Sequence, residues 1–187
     1  MLEIRDLIEH FESGAKGEIV KTQSTYLDVV LSFQSEVQTI PSKFRIHFRG
    51  KREFSLNKGR FTKFQLFEKH PLLINFIEPM VTVHLASFVS NKEKFRSELE
   101  AIAYQIFNGW RSFEDYLNMP LDKFLEKSYG ILMSAPKTFA ESVVQMAERD
   151  NVKLIIHDYY KQTANPFVIC FDENYVIADD FRVEALN

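Results

Sequence analysis

With 187 residues, 45% hydrophobic and 26% charged, and only six Gly and six Pro, the chain is neither disordered nor fibrous. That length suits one α+β domain over residues 1–187, able to bury about 70% of the surface its unfolded form exposes. A net charge of −3 argues against a nucleic-acid binder, and the single cysteine, Cys170, excludes an intramolecular disulfide and fits a reducing cytoplasm. The opening residues carry acids and no continuous apolar run, so no secretion signal is expected. No window approaches about 18 uninterrupted apolar residues, so no helical membrane span is expected either.

Taken in order, Ile4, Leu7, Ile8 and Phe11 fall on one helical face, and Gly14 follows where a helix end needs positive φ; a helix is expected near 1–13. Residues 17–37 read as either strand or helix, and the Val29-Val30 pair favours strand. Residues 38–42 are expected to form a loop. Phe44, Ile46 and Phe48 then alternate with Arg45, His47 and Arg49, the period of a strand with one apolar and one basic face. Gly50-Lys51 and Asn57-Lys58-Gly59 supply turns around a strand at 53–56, a further strand follows at 61–67, and another at 80–85 after Pro79. The expectation is an antiparallel meander in the N-terminal half.

Beyond it, Ser90 and Glu93 have the spacing of a capping box, and Phe95, Leu99, Ile102, Ala103 and Ile106 repeat at helical spacing to Asn108-Gly109, giving a helix near 91–108. Ser112 caps a short aromatic turn through Tyr116, and Pro120 opens a short helix through Leu125. Residues 130–134 read as a buried strand, Pro136 starts a helix near 136–150 with Phe139, Val143, Met146 and Ala147 inward, and 152–156 return as a strand. Together these make a βαβ-like unit. A C-terminal hairpin pairs 167–171 with 175–178 around Asp172-Glu173-Asn174, and Phe181 and Val183 prolong its second arm.

Chemistry is harder to find. Five histidines lack metal-ligand spacing, and no nucleophile elbow, phosphate-binding Gly-rich loop or dinucleotide fingerprint occurs, so neither a catalytic residue nor a cofactor or metal is implied. His157-Asp158 closes a strand of the βαβ-like unit, where open α/β sheets collect ligands; packing or solvation is the plainer reading. Cys170 sits in an apolar run and reads as a buried structural thiol. The acids Asp172, Glu173, Asp179, Asp180 and Glu184 are numerous enough for a magnesium site, but a turn and a strand end more often present acids to water.

Charge distribution is the most informative feature. Residues 43–63 hold eight cations (Lys43, Arg45, Arg49, Lys51, Arg52, Lys58, Arg60, Lys63) against Glu53 alone, so +7 there leaves −10 for the rest. The alternation puts the Phe rings and the cations on opposite faces, which favours core rings over rings that stack on bases. Three functions follow as expectations. The first is a non-enzymatic cytoplasmic protein-binding module, such as an inhibitor or immunity protein that neutralises a toxin, using either the acids Asp172, Glu173, Asp179, Asp180 and Glu184 or the cations Arg45, Arg49, Arg52, Lys58, Arg60 and Lys63. The second is RNA or single-stranded DNA binding on the basic sheet face. The third is an enzyme built on His157 and Asp158 with Asp179 and Asp180.

Overall fold

The computed structural model describes residues 4–12, 14–32, 42–127, 129–160 and 164–186. It has mixed helices and antiparallel sheets, the α+β class expected from the pattern. The chain divides into two compact units: residues 1–73 with 165–187, and residues 74–164 between them in sequence.

The first unit opens with α1 (Ile4–Glu12), which ends as its spacing predicts, with Gly14 at φ 88° donating its amide to the Phe11 carbonyl at 3.0 Å. Strands β1 (Lys16–Thr22), β2 (Tyr26–Ser32) and β3 (Ser42–Arg49) follow as a consecutive antiparallel meander. Residues 33–37 of the expected 17–37 strand and residues 38–41 of the expected 38–42 loop lie outside the described residues, and Ser42, read as loop, opens β3. Next come β4 (Glu53–Ser55), β5 (Gly59–Phe61) and β6 (Phe64–Phe67), and after the second unit β10 (Phe167–Phe171), β11 (Asn174–Ala178) and β12 (Asp180–Leu186).

Most strands stand close to where the pattern put them, but the single strands read at 17–37 and 61–67 are each two, β1 with β2 and β5 with β6. Among the described residues, after β3 only β10 and β11 of this unit pair with a chain neighbour. One sheet has the order β12-β3-β2-β1-β5 and the other β4-β11-β10-β6. The hairpin of β10 and β11 is as expected, whereas β12 leaves it for the other sheet and runs beside β3. Period two tells which side chains face inward; it carries no information about which strand lies alongside.

The inner faces of both sheets and α1 share one core, in which Leu7, Ile19, Leu27, Ile46, Ile169 and Val176 are buried. Its centre is a ring cluster. Phe11 lies 5.2 Å from Phe61 and 5.3 Å from Phe64, and Phe171 lies 5.1 Å from each of the last two. Gly17 of β1 is required there, because a Cβ at this position would collide with the Phe61 ring. Eleven of the 18 Phe are buried among the described residues, so the ring surplus builds cores rather than a stacking surface.

In the second unit, α2 (Ile74–Ile77) leads to β7 (Met80–Leu85), then α3 (Lys92–Phe107), a 3-10 turn at Phe113–Tyr116, α4 (Leu121–Lys127), β8 (Gly130–Pro136), α5 (Lys137–Arg149) and β9 (Leu154–Tyr160). The helix cap predicted at Ser90 is supplied by Asn91, whose Oδ1 accepts from the Lys94 amide at 2.9 Å. Ser112 and Asp115 form the capping box of the 3-10 turn. Strand order is β8-β7-β9 with both outer strands antiparallel to β7, so β8 and β9 run parallel, joined by α5. The βαβ-like unit is therefore present with β7 inserted between its strands. Phe95, Leu99 and Ala103 of α3 and Phe139, Val143 and Ala147 of α5 bury against Val81, Val83, Leu132 and Leu154.

Candidate functional site

Because Phe44, Ile46 and Phe48 point into the core, the alternate residues of β3 stand on the outer face of the five-stranded sheet. Register then fixes their neighbours. Lys21, Asp28, Arg45 and Glu184 form one row across β1, β2, β3 and β12; Tyr26, His47 and Arg182 form the next; Arg49 stands opposite Asp180.

The centre of this face is a held ion pair. Arg45 Nε donates to Asp28 Oδ1 at 2.7 Å and Nη2 to Oδ2 at 3.2 Å, and Asp28 is only 2% exposed. The hydrogen bond from Arg45 holds the Asp28 carboxyl below the usual aspartate range against the opposing effect of burial, with the charges of Arg45, Lys43 and Lys21 adding to it. The same hydrogen bond raises the Arg45 guanidinium. Arg45 also lies over the Tyr26 ring, 4.1 Å from its centroid, with the Lys21 ammonium at 5.7 Å. His47 Nε2 and Glu184 Oε2 are 2.9 Å apart at the exposed end of the row. Beside them Thr25, His47, Arg49, Asp180 and Arg182 line an open hollow of about 360 Å³.

The predicted residues divide in a way the sequence did not show. Arg45, Arg49, Asp180 and Glu184 meet on this one face, so cations of β3 and acids of β12 interleave instead of forming separate zones. Asp179 is absorbed by Arg52, with Nε to Oδ1 at 2.7 Å beside the Gly50 turn, where φ is 63°. Asp172 holds the first unit together: at φ 51° in the β10–β11 turn, it accepts from the Thr62 amide at 3.0 Å and the Lys63 amide at 2.9 Å. Glu173 is exposed in that turn. Lys58, Arg60 and Lys63 are exposed around β5 and form no ion pair among the described residues.

Tyr26, Asp28, Lys21 and Arg182 were missed. A signal existed for one of them, since an Asp inside the apolar alternation of Tyr26, Leu27, Val29 and Val30 is disfavoured in a strand and implies a partner.

His157 stands in the middle of β9 and not at its carboxyl end, because the strand continues to Tyr160, and its hydrogen-bonded neighbour is the antiparallel β7. Its ring meets that of His84 edge to face at 4.9 Å on the open face of the second unit's sheet. Asp179 and Asp180 belong to the other unit, and the Asp158 side chain lies outside the described residues. Among the described residues, no group of three or more His, Cys, Asp or Glu is placed to hold a metal ion, and no helix is long and apolar enough to cross a membrane. Cys170 is buried, and burial pushes its thiol up to about 12, far from the thiolate that reactive cysteines need.

Comparison of the chain with known protein families, with characterised proteins and with solved structures finds no match, so the site is read from its own geometry.

Proposed function

We propose that this chain is a non-enzymatic protein-binding module whose contact surface is the outer face of the five-stranded sheet. An inhibitor or immunity protein that neutralises a toxin is the specific form of that reading. The observation that carries it is the Asp28–Arg45–Tyr26 arrangement: a part-buried bidentate ion pair stacked on a ring pre-organises Arg and Tyr, the residue types that dominate protein contacts. Around this centre stand exposed Lys43, Arg49, Arg182 and Glu184, a polar rim of both signs. A partner that fits presents acids opposite Lys43 and Arg49 and a cation near Glu184. Among the described residues, the hollow beside Thr25, His47 and Arg182 and the one beside Phe11 and Thr62 are open, which suits a face-to-face contact better than capture of a small molecule.

The test is recovery of a stoichiometric protein from the native host at low salt, repeated with Lys43→Glu/Arg49→Glu. Both side chains are exposed and outside any ion pair among the described residues, so the fold is expected to stand. The expected result is one partner retained by the unaltered chain and held at least about ten-fold more weakly by the variant. No stoichiometric partner, or equal retention by both proteins, would overturn the proposal.

One observation favours a second reading, RNA or single-stranded DNA binding. Lys58, Arg60 and Lys63 cluster around β5 without acid partners among the described residues. Against it, Glu18, Asp28, Asp180 and Glu184 stand between the cations of the adjoining face, where a phosphate backbone would pass. Oligonucleotide affinity that falls steeply with salt, with a slope flattened by Arg49→Ala/Arg60→Ala, is the expected signature; no binding at low salt ends this reading.

A further inference from the structure

Among the described residues, the three sheets leave six edge strands: β12 and β5, β4 and β6, β8 and β9. An edge presents unpaired amides and carbonyls, and proteins blunt it by shortness, bulges, proline or charge. Five of the six are blunted by shortness, irregularity or proline, whereas β12 carries only charges, Asp180, Arg182 and Glu184, all on its outer face. Strands β4 and β5 have three residues and β6 has four. The ladders of β8 and β9 with β7 are each broken by an irregularity, and β8 ends at Pro136. β12 differs. Its seven residues contain no proline and pair with β3 in seven consecutive positions without a break. On the core side it shows Phe181, Val183 and Ala185, with Val183 buried in the core, and no charge points inward.

We propose that β12 pairs with β12 of a second copy of this chain, joining two five-stranded sheets into one across a two-fold axis through Val183. The register follows from symmetry and charge. In an antiparallel pair, residues directly opposite share the same hydrogen-bonding state, so a two-fold pairing must turn about a residue rather than between two residues. Near the middle of β12 three centres are available. About Arg182, that guanidinium faces its own copy and Asp180 faces Glu184 of the second copy, so every charged pair repels. About Glu184, that carboxylate faces its own copy while Arg182 faces Leu186. About Val183, Arg182 faces Glu184 of the second copy twice over, Val183 meets Val183 and Phe181 meets Ala185, leaving Asp180 opposite Leu186 at the two ends with no like charges paired. Only this last register matches charges on the outer face and apolar groups on the core face.

Sedimentation velocity of the full chain across a concentration series, at low salt, tests the pairing. The unaltered protein is expected to move from monomer to dimer. Arg182→Glu and Glu184→Arg should each raise the dissociation constant at least about ten-fold, because each puts like charges opposite one another. An equimolar mixture of the two variants should return to dimer mass, since the carboxylate introduced by the first substitution then faces the guanidinium introduced by the second, and the unaltered Glu184 of one chain faces the unaltered Arg182 of the other. That rescue separates pairing from damage within a chain, which mixing cannot repair; circular dichroism checks that each variant is folded. An unaltered chain that stays monomeric at every concentration, dimers indifferent to either substitution, or a mixture that stays monomeric would each overturn the proposal. The result does not depend on whether the outer face binds a different protein, because the partner test above leaves β12 unaltered.

Discussion

The two units teach different lessons about how a chain specifies its contacts. Residues 74–164 are contiguous, and every strand pairing of that unit closes within this one stretch, the longest being Met80 with Tyr160. The other unit is assembled from the two flanks of that segment, and its three C-terminal strands each lie against a strand from before it. Shorter loops are closed in the first case. In the second, a bond such as His47 to Glu184 spans 137 positions, and the closure entropy of so long a loop must be met by core burial and specific clamps.

The largest test of this contrast removes one ring from each core. Phe171→Ala and Phe139→Ala each delete a fully buried side chain and are expected to cost about 3–5 kcal/mol. Residue-resolved hydrogen exchange should show Phe171→Ala loosening β1, β2, β3 and β12, and Phe139→Ala loosening β7, β8 and β9, with Trp110 fluorescence following the second variant. Equal loosening of both sets by either substitution would break the comparison.

A smaller effect is expected at the buried carboxylate. Asp28→Asn leaves the Arg45 cation without its charged partner and should lower the unfolding midpoint of the first unit. Because the folded carboxyl titrates below the ordinary aspartate value of 3.8, its contribution is fully present above that value and is lost as pH falls through the lower folded one. The gap between the two proteins should therefore be constant near neutral pH and close only in acid, as urea midpoints at several pH values would reveal.

Asp172→Ala removes the acceptor for the Thr62 and Lys63 amides and should cost about 1 kcal/mol, with exchange rising first at those two amides. The least effect concerns His70, whose Nδ1 accepts from the Leu72 amide at 3.2 Å and whose imidazolium burial disfavours. Its folded value lies below the ordinary 6.5, so the stability it contributes is present above 6.5 and declines as pH falls below it. His70→Gln should remove that shallow dependence while leaving the acid transition of Asp28 in place.

Much of the fold was legible because inward-facing residues announce themselves by period. The helices near 1–13, 91–108 and 136–150 and the strands at 44–49, 80–85 and 167–171 stand close to where apolar spacing puts them. The face of each cation on β3 was legible for the same reason. What the pattern lacks is adjacency. Nothing in Arg49 or Asp180 alone says that β3 and β12 are neighbours, so two charge clusters far apart in sequence read as two surfaces when they form one. Asp28 was overlooked because its meaning depends on Arg45, which stands on the next strand. Asp172 and Asp179 read as exposed acids because their partners at residues 52, 62 and 63 are more than a hundred positions away.

Order of synthesis gives the split unit a further consequence. A ribosome delivers β1 to β6 first, then the whole intervening unit, and only afterwards the strands that cover β3, β4 and β6. The intervening residues can complete their own core while the earlier strands still wait with bare edges and an unfilled Phe cluster. The time between translation of β6 and of β12 is thus the interval in which the nascent chain is most exposed to aggregation, and slowing elongation there should lower the yield of native protein.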